Sequence, residues 1–144
     1  MKKFIIILLI TFAIGGIPSL ISGTSVEGLI TPPLFPPKIL FPIVWSILYV
    51  LLTISCYRAT KENDEPYVIY FIQMILNGLW TPIFFGLKLR LLAFFWLIAL
   101  LISVIIMTIK FYKEDKLSGL LQIPYILWLS FAGYINLAIY LLNK

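Results

Sequence analysis

The chain has no histidine and a single cysteine, Cys56, and only six of its 144 residues are aspartate or glutamate. Without histidine there is no imidazole general base, no imidazole metal ligand and no His-ligated haem iron. A lone cysteine closes no disulfide within the chain and builds no multi-thiolate metal site, so Cys56 says nothing about redox compartment. No cofactor and no metal ion are therefore expected. Charge of either sign is scarce, at 12% of residues, about half the share found in a water-soluble domain. The formal net charge of +5 comes from basic residues scattered over short connections. They form neither a stripe nor a motif, which argues against nucleic acid as a partner.

What the chain has in quantity is apolar side chains, 62% of the total. No charged residue interrupts 4–26, 39–57, 66–87, 91–109 or 117–143. A helix rises about 1.5 Å per residue and the hydrocarbon core of a bilayer is about 30 Å thick, so about 20 apolar residues make one crossing. The expected fold is an all-α integral membrane protein, a five-transmembrane-helix bundle in one domain over 1–144. Its helices are expected at about 4–22, 39–57, 67–87, 91–111 and 117–142, with a proline-rich loop over 23–38.

Lys2, Lys3 and the apolar run that follows also fit a signal peptide, but no small-residue cleavage site succeeds them and apolar character continues through Ile21. A retained helix is the reading adopted, with Pro18 as a kink near its outer end. Gly15, Ser19 and Gly23 recur every fourth residue, a spacing that permits close helix contact. In the loop, Pro32, Pro33, Pro36 and Pro37 withhold four amide donors. A stiff, extended cover is expected, or a rigid spacer at the head of the second helix. Because the connections are short, helices consecutive in sequence are expected to be antiparallel neighbours. Lys and Arg number seven on the side of the amino terminus and four on the other, which places the amino terminus in the cytoplasm and the proline-rich loop outside.

The third segment sets Gln73, Asn77, Trp80 and Phe84 along one helical stripe. A carboxamide left in lipid without a partner costs a few kcal/mol, so Gln73 and Asn77 must meet other helices, a ligand or enclosed water. The fifth segment repeats the pattern with Tyr125, Trp128, Ala132 and Asn136, and the second stacks Trp45 and Tyr49 one turn apart. Each ring alone fits an interfacial anchor. Rings with a polar handle converging from three helices fit the wall of a largely apolar cavity. Trp96, set among Phe94, Phe95, Leu97 and Ile98, is expected to face lipid or anchor at the interface.

Four stretches carry a resemblance. They are Pro32-Pro-Leu-Phe-Pro-Pro37, Pro42-Ile-Val-Trp-Ser-Ile-Leu-Tyr49, Gln73-Met-Ile-Leu-Asn-Gly-Leu-Trp-Thr-Pro-Ile-Phe-Phe85, and Pro124-Tyr-Ile-Leu-Trp-Leu-Ser-Phe-Ala132 with Asn136. In that order and spacing the chain resembles the translocator protein family, also called tryptophan-rich sensory or peripheral benzodiazepine receptor proteins. The resemblance implies a five-helix bundle, often a homodimer in bacterial members, with an interior pocket beneath the first loop. It implies hydrophobic ligands of porphyrin or tetrapyrrole type, with sterols and benzodiazepine-type compounds as further ligands, and location in a bacterial cell membrane. Trp45 and Trp128 match the pocket tryptophans linked to light-dependent porphyrin breakdown, Asn77 and Trp80 match pocket positions on the third helix, and Tyr125 lies in the matching Pro-Tyr-x-x-Trp motif. Two departures stand out: Leu34 occupies the place of a usual tryptophan, and the loop has no tryptophan at all. Leu137, Tyr140 and Lys144 match the proposed sterol pattern, which recurs often by chance.

The expected function is a membrane binding protein that takes a porphyrin-type molecule into the bundle for sensing, scavenging or transport. The porphyrin is a ligand rather than a resident cofactor. Trp45 and Trp128 would flank the macrocycle while Gln73 and Asn77 orient polar substituents, with Tyr49, Trp80, Phe84, Tyr125, Ala132 and Asn136 completing the site. The alternative is a light-dependent porphyrin-degrading enzyme in which Trp45 and Trp128 are catalytic. An ion-coupled transporter would carry an ionisable group inside a span, and none is present.

Overall fold

The computed structural model describes residues 1–144; all its regular structure is helical, without strands. The elements are α1 (Lys2–Ser22), α2 (Leu40–Ala59), α3 (Pro66–Thr81) running into a π-helical turn (Pro82–Gly86), α4 (Arg90–Glu114), a short α5 (Lys116–Leu120) and α6 (Ile123–Asn143). Taking α3 with its π turn and α5 with α6, five helical stretches are long and apolar enough to cross a bilayer.

Two prolines set the irregularities. Pro82 has no amide to close on the carbonyl of Gly78, and the chain widens there, Leu87 N donating to Pro82 O at 2.8 Å five residues back. Pro124 likewise has no amide for Leu120, so the last crossing breaks into α5 and α6 around Leu121 and Gln122. Gln122 Nε2 then donates to Ser55 Oγ at 2.7 Å and fastens the break to α2.

The buried positions repeat at helical spacing: Ile7, Thr11 and Gly15 on α1; Ile69, Tyr70, Gln73, Met74, Asn77 and Gly78 on α3; Ala93, Leu97, Leu100, Val104, Met107 and Phe111 on α4. Large apolar side chains such as Leu9, Phe95, Ile102 and Leu127 point outward, as the lipid-facing surface of a bundle requires. Consecutive helices are not uniformly neighbours. The backbones of α2 and α3 hardly approach, because α1 lies against both. Two glycines make room for it: Gly15 lies under the Tyr49 ring and Gly78 under the backbone of Ile14, each too close for a methyl group. Ser19 on α1 and Gly23 just past its end, the rest of the small-residue series, are not buried.

The 23–38 connection is a run of turns rather than one extended strand. Leu29 N donates to Val26 O, Phe35 N to Pro32 O and Leu40 N to Pro37 O. In the second, Pro33 precedes Leu34 at φ 68°, the backbone of a type II turn with leucine where glycine is usual. The loop is tied to α6 twice: Tyr134 donates to Pro33 O at 2.8 Å, and the Asn143 side chain accepts from Ile30 N and donates to Ile30 O at 2.8 and 2.9 Å.

At the opposite end the connections hold one another by charge. Arg58 donates through two nitrogens to Asp115 at 2.8 and 3.2 Å, Lys110 pairs with Glu65 at 2.9 Å, and Lys3 donates to Thr60 O at 2.9 Å. Asp115 also caps α5, accepting from Ser118 N and Oγ. The Arg58 bonds first, then those of Ser118, hold the Asp115 carboxyl below its ordinary 3.8, at about 2.

Replacing Gly78 by Ala should destabilise the bundle by about 1–3 kcal/mol through overpacking against Ile14. Gly16→Ala, where an added methyl meets nothing within 4 Å, should leave the melting temperature unchanged or raise it. Equal effects at the two positions would contradict the packing described. The Asp115 contribution is fully present above its ordinary pKa and is lost as pH falls towards about 2. Asp115→Asn should therefore lower the melting temperature at neutral pH, and the gap to the native chain should close across that window.

Candidate functional site

A relay of hydrogen bonds crosses the middle of the bundle. Tyr49 OH on α2 donates to Asn77 Oδ1 at 3.0 Å, Asn77 Nδ2 donates to Tyr125 OH at 2.7 Å, and Tyr125 OH donates to Gln73 Oε1 at 2.8 Å. Gln73 Nε2 donates to Tyr70 O at 3.0 Å, and the Tyr70 hydroxyl meets Thr11 Oγ1 on α1. Four helices are joined, and both carboxamides expected to need partners have them from protein. The i and i+4 placement of Gln73 and Asn77 is what lets one tyrosine hydroxyl, Tyr125, bridge them.

Outside this relay lies an aromatic cluster. The Trp45 ring is 5.6 Å from Tyr49, 6.2 Å from Tyr125 and 6.5 Å from Trp128, the last two edge to face. Phe41 is 5.8 Å from Trp128, Phe131 is 5.6 Å from it, and Phe35 of the loop stands 5.8 Å from Phe41. Trp128 Nε1 is buried and has no hydrogen-bond partner. The backbones of α2 and α6 do not pack closely, so these two helices meet through rings.

The remaining residues of the stripes gather nearer the loop. Trp80 stacks on Phe84 at 5.2 Å and donates to Asn136 Oδ1 at 2.9 Å, and Asn136 Nδ2 donates to Arg90 O at 2.9 Å. Phe84 lies in a small second core with Ala93, Ile135 and Ile139, and Trp80 touches both cores. Ala132 packs, half-buried, on the larger one. The ten residues singled out by sequence thus fall into two linked groups, Trp45, Tyr49, Gln73, Asn77, Tyr125 and Trp128 in one and Trp80, Phe84 and Asn136 in the other, with Ala132 beside the first.

Three rings were missed. Phe41 precedes Trp45 by four residues and Phe131 follows Trp128 by three, so extending each stripe by one turn would have found both; Phe35 is a loop residue and no periodicity marks it. Trp96 is half-exposed, in keeping with an outward or interfacial ring, and its indole in addition donates to Leu76 O at 2.9 Å and ties α4 to α3. An indole N–H exposed to acyl chains would lack any acceptor, whereas a backbone carbonyl on the next helix supplies one. Two clefts open elsewhere. One of about 620 Å³ runs between α1 and α3 along Ile6, Ile7, Ile10 and Phe71, and one of about 320 Å³ lies between the start of α4 and the end of α6.

The model of a protein family described as TspO/MBR matches residues 4–142. The tryptophan-rich protein TspO of Archaeoglobus fulgidus is 38% identical over 149 aligned positions, covering 98% of this chain and 97% of that protein. Protein CrtK of Rhodobacter capsulatus is 37% identical over 127 positions, 84% of this chain and 79% of its own. The human translocator protein is 29% identical over 120, with coverage of 78% and 71%.

Asn77 serves two tyrosines at once, so Asn77→Ala should strand the Tyr49 hydroxyl in the core, take one of the two bonds of the Tyr125 hydroxyl and lower stability by about 2 kcal/mol. Thermal unfolding in detergent measures this. A loss no larger than that of Ser130→Ala, which removes an exposed hydroxyl bonded only within its own helix, would contradict the relay.

Proposed function

The chain belongs to the TspO/MBR family of membrane proteins, and from that premise we propose that it binds a flat, hydrophobic molecule of porphyrin type between α2 and α6. The observation that carries the reading is the Trp128 indole N–H, buried without an acceptor beside Trp45. A donor left unpaired in an apolar interior costs about 1–3 kcal/mol. A guest offering a carbonyl or carboxylate oxygen removes that cost while its face lies against the rings.

The surroundings support the same reading. Because α2 and α6 meet through side chains, a guest has only to turn rings aside and need not part close-packed backbones. The relay from Tyr49 to Gln73 forms a satisfied polar floor that holds the walls at a fixed separation. Phe35 and Phe41 continue the aromatic surface towards the loop, so the entrance lies on that side. Seven Lys and Arg residues belong to the opposite end and four to the loop end, and on the positive-inside rule the entrance faces away from the cytoplasm. Scavenging or transport from outside follows from that orientation.

Titrating protoporphyrin IX into the detergent-solubilised protein should quench tryptophan fluorescence and shift the porphyrin's own absorbance to a saturable end point. Trp128→Phe and Trp45→Phe should each weaken the affinity read from absorbance, which does not depend on the indole removed, by about tenfold, the worth of about 1.4 kcal/mol. Absorbance titrations identical in the native chain and both variants would remove Trp45 and Trp128 from the site.

A further inference from the structure

Arg90 opens α4 at the loop end of the bundle, and its side chain makes neither an ion pair nor a hydrogen bond. The guanidinium rests over the Phe84 ring at 5.3 Å, Nε is buried without a hydrogen bond, and the chain's ion pairs, Arg58 with Asp115 and Lys110 with Glu65, do not include it. Only its backbone carbonyl is engaged, by Asn136. Only Nε is enclosed; the residue is half-exposed, so its outer nitrogens can reach an anion at the mouth of a neighbouring cleft.

The cleft of about 320 Å³ lies at this residue. Its walls bring Arg90 together with Lys88 and Lys144, and with Tyr140 and Asn143 at the end of α6. No aspartate or glutamate side chain lines it. The first turn of α4 has no side-chain cap, so its amides add a positive field, partly offset by the carbonyl end of α6 at Asn143, and the three cationic side chains carry the balance. Leu89, Leu91 and Leu92 complete the wall and are 40–48% exposed on the lipid side. Cations and acyl-facing leucines therefore meet at one interface.

We infer that this cleft binds the phosphate of an anionic phospholipid, with Arg90, Lys88 and Lys144 holding the headgroup and Leu91 and Leu92 taking the acyl chains. The leucines select a lipid over a soluble anion, since a free phosphate gains nothing from them. Arg90 suits a planar, bidentate contact to phosphate oxygens, while the lysines act as mobile point charges. The inference is independent of the porphyrin reading, because the cleft contains neither Trp45 nor Trp128.

The test uses the full chain in detergent, with phosphatidylglycerol or phosphatidylcholine added and thermal stability and native mass spectrometry as readouts. Phosphatidylglycerol should stabilise the native chain more and remain attached after detergent removal. Lys88→Gln and Lys144→Gln should each reduce that preference about fivefold, the worth of one cation near a charged headgroup, and Arg90→Gln should abolish it. Should Arg90→Gln fail to fold, the two lysine variants, on exposed side chains, decide the matter. Equal stabilisation by the two lipids, or a full preference in the double lysine variant, would overturn the assignment. Reproduction of the effect by inorganic phosphate would overturn the lipid as occupant. Protoporphyrin affinity should be unchanged in the lysine variants, and its loss would mean that these cations serve that ligand instead.

Discussion

A carboxamide inside a bilayer has no water to fall back on, and the bundle is organised around that constraint. Gln73 and Asn77 sit on the buried face of α3 at the depth of the hydrocarbon, and each must spend its donors and acceptors on protein. They do so chiefly through the hydroxyls of Tyr49 and Tyr125, which become fixed points on α2 and α6, while the remaining Gln73 donor turns back to the Tyr70 carbonyl on its own helix. The apolar packing around them has no comparable directionality. Leucines and isoleucines facing other leucines tolerate rotation of a helix by a fraction of a turn, whereas the relay permits one register. Gly15 and Gly78 complete the arrangement by letting α1 approach closely enough for Thr11 to close the far end.

The same constraint separates the floor of the candidate site from its walls. The amides and tyrosines are satisfied and rigid, while the rings above them are held by contacts that rank orientations only weakly. Trp45 and Trp128 stand edge to face with no polar bond between them, and Trp128 alone among the indoles has a buried donor without an acceptor. Trp80 and Trp96, by contrast, are each fixed by a hydrogen bond to a neighbouring helix. Four tryptophans of one chemistry thus divide by whether a neighbouring helix offers them an oxygen, from a side chain for Trp80 and from the backbone for Trp96.

The crossings were legible because charge is sparse and collects at the ends: every gap between charged residues longer than a bilayer is thick became a helix. The burial of Gln73, Asn77, Tyr125 and Asn136 was legible from period alone. What the spacing could not decide was the partner, since a carboxamide on an inward face looks the same whether it meets a tyrosine or a guest. The order of packing was also hidden. Nothing in the short 60–65 connection says that α1 will lie against both α2 and α3, because that depends on two missing Cβ atoms meeting particular neighbours in three dimensions. The bond of Trp96 was hidden for a related reason: its neighbours in sequence are apolar, but its acceptor, Leu76 O, is twenty residues away.

Tyr134 and Asn143 anchor the 23–38 segment, and both belong to α6, whose backbone packs closely only on α4. That segment also runs unbroken from α1 into α2, so its bonds to Tyr134 and Asn143 act as a strap across the seam where the α2 and α6 backbones do not themselves pack.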